Sequence, residues 1–202
     1  DIGSNDGTTL QEFRKNGLNV MGVDPAYLPS KIANDNNIPT INAFFDEEVV
    51  HKIVQDKGYA DLVTSQNVLA HVDHLVDVFE NIYTLLKDEG FLCFEIGYFG
   101  DVLKNGYFDT IYHEHIDYHH SAPLVKLLRK IGFNILNLSQ NKVQGGSLRV
   151  LAQKTNKTNI QKNVKEFLEN EKLSLLYDKN YLSEWQGLIK ANLNNFRKLV
   201  QE

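Results

Sequence analysis

A single cysteine, Cys93, excludes an intrachain disulfide, and its place in the apolar run Phe91-Leu92-Cys93-Phe94 predicts a buried, inert thiol in a reducing compartment. Long apolar stretches are missing too. None approaches the ~20 residues of a membrane span, and the first residues carry acid and glycine where a signal peptide would be basic and then apolar. Basic charge is in short supply, since 21 Lys and Arg face 26 Asp and Glu for a formal net charge of -5. Without a positive field to hold a phosphate backbone, nucleic acid is not an expected partner. The chain reads as a soluble, cytoplasmic protein with no membrane contact.

What is there is ordinary for a folded domain. Hydrophobic residues make up 42% and charged residues 23% of 202 positions, away from disordered compositions and enough for one α/β domain with an appendage. Asp1-Ile2-Gly3 reads as the end of a strand entering a turn, so the chain is expected to be a fragment of a longer polypeptide.

Apolar runs alternate with helical patterns to about residue 135, the signature of a parallel sheet covered by helices. Strands are expected at Asn19–Val23, Thr40–Asn42, Ala60–Ser65 and Phe91–Ile96. Helices are expected at Gly7–Asn16, Leu28–Asn36, Asp46–Gln55, Leu75–Lys87 and Ala122–Ile131, the last stopped by Gly132. Phe133–Leu138 and Leu148–Gln153 are close enough in sequence to form an antiparallel edge pair. The predicted fold is α/β, a Rossmann-like sheet with that terminal antiparallel pair, over residues 1–153. Residues 154–202 are expected to hold a polar linker, Thr155–Asn159, and two helices with an apolar stripe at Leu188, Ile189, Leu193, Phe196, Leu199 and Val200.

Asp1-Ile2-Gly3-Ser4-Asn5-Asp6-Gly7 sits between a strand and a helix. Glycines at Gly3 and Gly7 let the backbone approach a ligand and aim its amides at it. Asp24 ends the next strand about twenty residues on, where an acid receives ribose hydroxyls in nucleotide-binding folds. Phe44 and Phe45 could cover an adenine face, and Asn67 follows the next strand at the same carboxyl edge. Each feature alone is also compatible with a plain turn or core filler. Asn5 stands where a dinucleotide fingerprint needs its second glycine, which favours a sulfonium donor, S-adenosylmethionine, over a nicotinamide cofactor.

Four of the seven histidines fall in Tyr112-His113-Glu114-His115-Ile116-Asp117-Tyr118-His119-His120. A solvated loop, a metal site at His113, His115 and Asp117, and a catalytic cluster all remain open. No HExxH or Cys/His spacing supports metal. For catalysis, a histidine titrating near ~6.5 can take a proton, an adjacent carboxylate can orient it, and a tyrosine or second histidine can stabilise an oxyanion.

Five blocks in order, Asp1–Gly7, Gly22-Val23-Asp24-Pro25, Asn67-Val68-Leu69-Ala70-His71, Phe108–His115 and Gln144-Gly145-Gly146-Ser147-Leu148-Arg149, resemble the sugar C-methyltransferases of deoxysugar biosynthesis. The resemblance implies methylation of a carbon beside a ketone in a nucleotide-linked keto-sugar. It makes His115 the base, with Tyr112, Glu114 and His71 around the reaction centre. Asp24 would hold the donor's ribose, while Asp1, Gly3, Asn5, Gly7, Phe44 and Asn67 would shape the donor site. Gly145, Gly146, Ser147 and Arg149 would face the substrate. The family's cysteine-rich, zinc-binding amino-terminal module and an upstream tyrosine are not among these residues. Two alternatives stay open: an O- or N-methyltransferase of small molecules, and a donor-binding subunit without turnover.

Overall fold

The computed structural model describes residues 1–157 and 159–201; Thr158, within the expected linker, and Glu202 lie outside the described residues. Parallel strands β1 (Gly22–Val23), β2 (Thr40–Ile41), β3 (Ala60–Gln66) and β4 (Leu86–Gly97) alternate with helices α1 (Thr8–Lys15), α2 (Tyr27–Asp35), α3 (Glu47–Lys57) and α4 (Leu75–Leu85). Ile2 fills the place between β1 and β3, with parallel bridges to Val23 and Ser65. After α5 (Phe99–Asn105) and α6 (Ser121–Ile131) come β5 (Phe133–Asn141) and β6 (Ser147–Lys154). β6 inserts antiparallel between β4 and β5, so the sheet runs β2-β1-Ile2-β3-β4-β6-β5.

This is the mixed sheet expected, with a terminal antiparallel pair. The first strands are shorter than their apolar runs, whereas β4 starts where α4 was expected to continue. α5 escaped sequence reading because seven residues are too few to show a helical period. Helix α3 begins where Asp46 accepts a bond from the Val49 amide at 2.9 Å, a side-chain N-cap.

Alternation along β4 turns Leu92, Phe94 and Ile96 into a core shared with Phe79 and Ile82 of α4 and Leu124 and Leu128 of α6. Phe79 and Phe94 meet with ring centroids 5.4 Å apart, and full burial of each such side chain contributes roughly 1.5–3 kcal/mol. A smaller cluster of Leu10, Ala33 and Ile38 joins α1 to α2. Helix α7 (Lys162–Lys172) places Val164 in the main core and packs Phe167 and Leu168 against it. Helix α8 (Lys179–Gln201) buries none of its described residues, and Leu188, Phe196, Leu199 and Val200 of the expected stripe are exposed. No helix among the described residues is long and apolar enough to cross a membrane.

Candidate active site

The turns after Ile2, β1 and β3 all open at the carboxyl edge of the sheet, where open α/β sheets bind ligands. Gly3 and Gly7 have φ of 69° and 81°, and Asn5 joins them in the left-handed region at 51°. The glycine at position 3 is demanded by a neighbour as well as by φ: a Cβ there would lie 2.2 Å from Cγ2 of Val68. Asn67, at φ 55°, donates its amide to the Glu95 carbonyl and thereby aims Val68 back at the first turn. Asp24 is 7% exposed. Its carboxylate accepts the amides of Asn5 and Ala26, both at 2.8 Å, so it holds the glycine turn in shape and keeps further lone pairs for a ligand. Asp1 belongs to the same framework, its carboxylate accepting from Thr64 at 2.6 Å.

Beside these turns lies a cleft of about 630 Å³, within the usual range of small-molecule sites. Gly3, Val23, Pro25, Phe44, Phe45, Val68 and Val78 give it apolar walls, and Asp46 and His71 are among its polar groups. Phe44 is 77% exposed, so it is no core filler.

His71 ties this cleft to the histidine-rich segment. Residues 106–120 form neither strand nor α-helix but a chain of turns between α5 and α6. The His115 amide bonds to the Tyr112 carbonyl at 3.1 Å, which brings the two side chains to one face, their rings 4.3 Å apart. The Ile116 amide bonds to the Ala70 carbonyl at 2.9 Å, docking the segment onto the turn after β3. There the rings of His71 and His115 lie 4.9 Å apart.

Their protons can be placed from the partners. Nδ1 of His115 is 2.7 Å from the Thr110 carbonyl, and Nδ1 of His71 is 2.8 Å from the Glu114 carbonyl. A carbonyl only accepts, so each Nδ1 carries a hydrogen, and in a neutral ring the lone pair is then on Nε2. The Tyr112 hydroxyl donates to Nε2 of His115 at 3.1 Å. The carboxylate of Glu114 was expected to orient His115 but instead lies 3.9 Å from His113 Nε2; Thr110 does the orienting. No group of three His, Cys, Asp or Glu among the described residues is arranged to hold a metal ion.

The block expected to face the substrate makes contacts within the chain. A Cβ on Gly146 would lie 2.3 Å from the Asp101 carboxylate, and one on Gly145 would lie 3.3 Å from the Tyr107 ring, so this turn supports the start of the histidine-rich segment. Ser147 donates to the Val143 carbonyl. Arg149 stands opposite Glu95 across the β4–β6 pair and forms an ion pair with its buried carboxylate.

Sequence reading missed the contacts that close the segment. The Phe99 amide bonds to the His119 carbonyl at 2.8 Å, returning the chain to where it left β4. Glu171 of α7, 3% exposed, accepts from Tyr98 Oη at 3.0 Å, His120 Nδ1 at 3.1 Å, and the amides of Ser121 and Ala122 at 2.7 and 3.0 Å. Burial works to raise its pKa, but the bonds from His120, Ser121 and Ala122 prevail and hold it at about 2. Burial, reinforced by this carboxylate, pushes the Tyr98 phenol up, so it stays a donor.

Residues 1–138 match a family described as a methyltransferase domain. A C-methyltransferase of Streptomyces niveus, NovU, is 37% identical over 152 residues, 75% of this chain. The chain spans 36% of that relative's length. Among solved structures, an S-adenosylmethionine-dependent methyltransferase from Anabaena variabilis superposes with a TM-score of 0.62 at 14% identity, covering 76% of this chain and 75% of the other. Another, from Mesorhizobium loti, gives 0.60 at 14% identity, covering 76% and 88%. At such identities these two show the fold.

Proposed function

Because the chain belongs to the methyltransferase domain family, we propose that it transfers a methyl group from S-adenosylmethionine to a carbon beside a ketone of a nucleotide-linked keto-deoxysugar, through an enolate generated by its own base. The observation that carries this reading is the meeting of His71, on the donor cleft, with His115, on the adjoining segment, each showing the lone pair of Nε2. The 37% identity to a C-methyltransferase supports it. A hydroxyl or amine acceptor can also use such a base, but a carbon bearing only hydrogens becomes a nucleophile only when one proton is taken from it.

The cleft suits the donor. Phe44, Phe45 and Val68 would hold its adenine, and Asp24 and the turn from Gly3 to Gly7 its ribose and amino-acid end. When bound, S-adenosylmethionine supplies an electrophilic methyl on a charged sulfur, which the enolate carbon takes as the sulfur–methyl bond breaks. His115 accepts the carbon-bound proton at Nε2, and its Nδ1–H bond to the Thr110 carbonyl stabilises the imidazolium that results. Substrate entry frees the Tyr112 hydroxyl from Nε2 to donate to the ketone oxygen as charge develops there. Neutral His71 has no hydrogen on Nε2, so it would donate to that oxygen only as an imidazolium. Once the carbon–carbon bond has formed, His115 releases its proton to water.

The test is hydrogen exchange in D2O without donor. The full-length protein should wash deuterium into the carbon beside the ketone of a nucleoside-diphosphate keto-deoxysugar, and His115→Ala should abolish this. Methyl transfer to a substrate hydroxyl or amine without such exchange would replace the proposal with O- or N-methylation. Donor binding with no transfer to any acceptor would leave a donor-binding subunit.

A further inference from the structure

The segment that carries Tyr112 and His115 has little internal structure, yet its two histidine bonds require it to be held within a few tenths of an ångström. Its middle docks on Ala70 and His71, and one group outside it gathers both of its ends. Tyr98 stands where the chain leaves β4, and His120, Ser121 and Ala122 stand where it enters α6. All four bond to one carboxylate, that of Glu171, at 2.7–3.1 Å. The backbone bridge of Tyr98 and His119 sits beside it. A second tie from the carboxyl-terminal region is the bond of Tyr181 Oη to the Leu103 carbonyl in α5, at 3.1 Å.

We propose that Glu171 is a positioning residue for the acceptor side of the site, clasping both ends of the excursion from Tyr98 to Ala122 so that His115 stays against His71. The proposal rests on the methyl-transfer reading only for its effect on turnover. Its structural content is independent of the substrate. A carboxylate is the group such a clasp needs, since four donors converge on two oxygens with enough lone pairs to receive them all. Glutamine would place an amide donor against one of those donors and open one end of the clasp. Glu171 is not among the residues that line the donor cleft, so loss of the clasp should leave donor binding intact.

The experiment uses the full-length protein, amide hydrogen exchange and turnover. Glu171→Gln should raise exchange in residues 107–118 about tenfold or more, leave β3 and the core of β4 unchanged, keep the dissociation constant of S-adenosylhomocysteine within about twofold, and lower turnover about tenfold. His120→Asn, which keeps a donor near the Nδ1 position, should retain turnover within about threefold. If Glu171→Gln does not fold, Tyr98→Phe removes one bond of the clasp and should show the same localised exchange at about threefold. Unchanged exchange in 107–118 would overturn the proposal, as would a uniform rise through α7 and the sheet with donor affinity falling in step. Were the wild type to show no exchange of substrate hydrogen and no methyl transfer, the proposed function would fall while the amide exchange still decided the clasp.

Discussion

The proposed donor cleft and the proposed acceptor segment meet at His71 and His115 but are built on opposite plans. The cleft is made by short turns at strand ends, fixed by backbone conformation and by contacts such as Gly3 on Val68. The segment is made of side chains bonded to backbone carbonyls, Thr110 for His115 and Glu114 for His71, and is closed by Glu171 from the far end of the chain. The first plan rests on backbone turns that the Asp24 carboxylate helps hold in shape. The second concentrates chemistry in a few groups whose placement depends on distant ones.

The largest break in this contrast should come from His115→Ala. Turnover should fall roughly 10²–10⁴-fold while donor affinity, measured by calorimetry, stays nearly unchanged. Near-normal turnover in His115→Ala, with loss in His71→Ala, would exchange their roles.

Acid should act next, on the segment's clasp. The carboxyl of Glu171 is depressed from 4.5 to about 2, so its contribution is fully present above pH ~4.5 and is lost as pH falls toward 2, in all on the order of 3 kcal/mol. Wild-type unfolding free energy, followed by urea titration across that window, should therefore drop more steeply than that of Glu171→Gln. Parallel curves would show the carboxylate to be unperturbed.

On the cleft side, Gly3→Ala meets Val68 and a left-handed backbone together, and should cost about 2–3 kcal/mol by thermal or urea unfolding. Val68→Ala added to it should restore part of that loss, and strict additivity would deny the contact. The smallest effect should follow Asp24→Ala, in which the Asn5 amide loses its acceptor and, on the proposed reading, the donor a polar contact. Donor binding should weaken about tenfold, roughly 1.4 kcal/mol, with turnover at saturating donor close to wild type.

The same contrast explains what could be read from the sequence. Backbone conformations advertise themselves, because glycine and asparagine mark left-handed positions, and Gly3, Asn5, Gly7 and Asn67 all have positive φ. The alternating strands and the edge pair were legible for the same local reason. Glu171 was not, since a glutamate on a polar helix face looks solvated and its partners lie 49 to 73 residues away. Nor does anything in Gly145–Arg149 reveal that Glu95 stands opposite Arg149. Glu114 was assigned by adjacency, yet a turn sends its carboxylate away from His115.

The bond between the Phe99 amide and the His119 carbonyl makes the acceptor segment a loop that starts and finishes at one point. For a chain so pinned, the entropic penalty of extra length grows only logarithmically, about 0.6 kcal/mol for each doubling. An insertion placed before Thr110, whose carbonyl must still reach His115, would therefore leave the sheet and the glycine turns unaware of the change, provided the bonds to Ala70, His71 and Glu171 are kept. The fold separates the part that can be lengthened from the part that cannot.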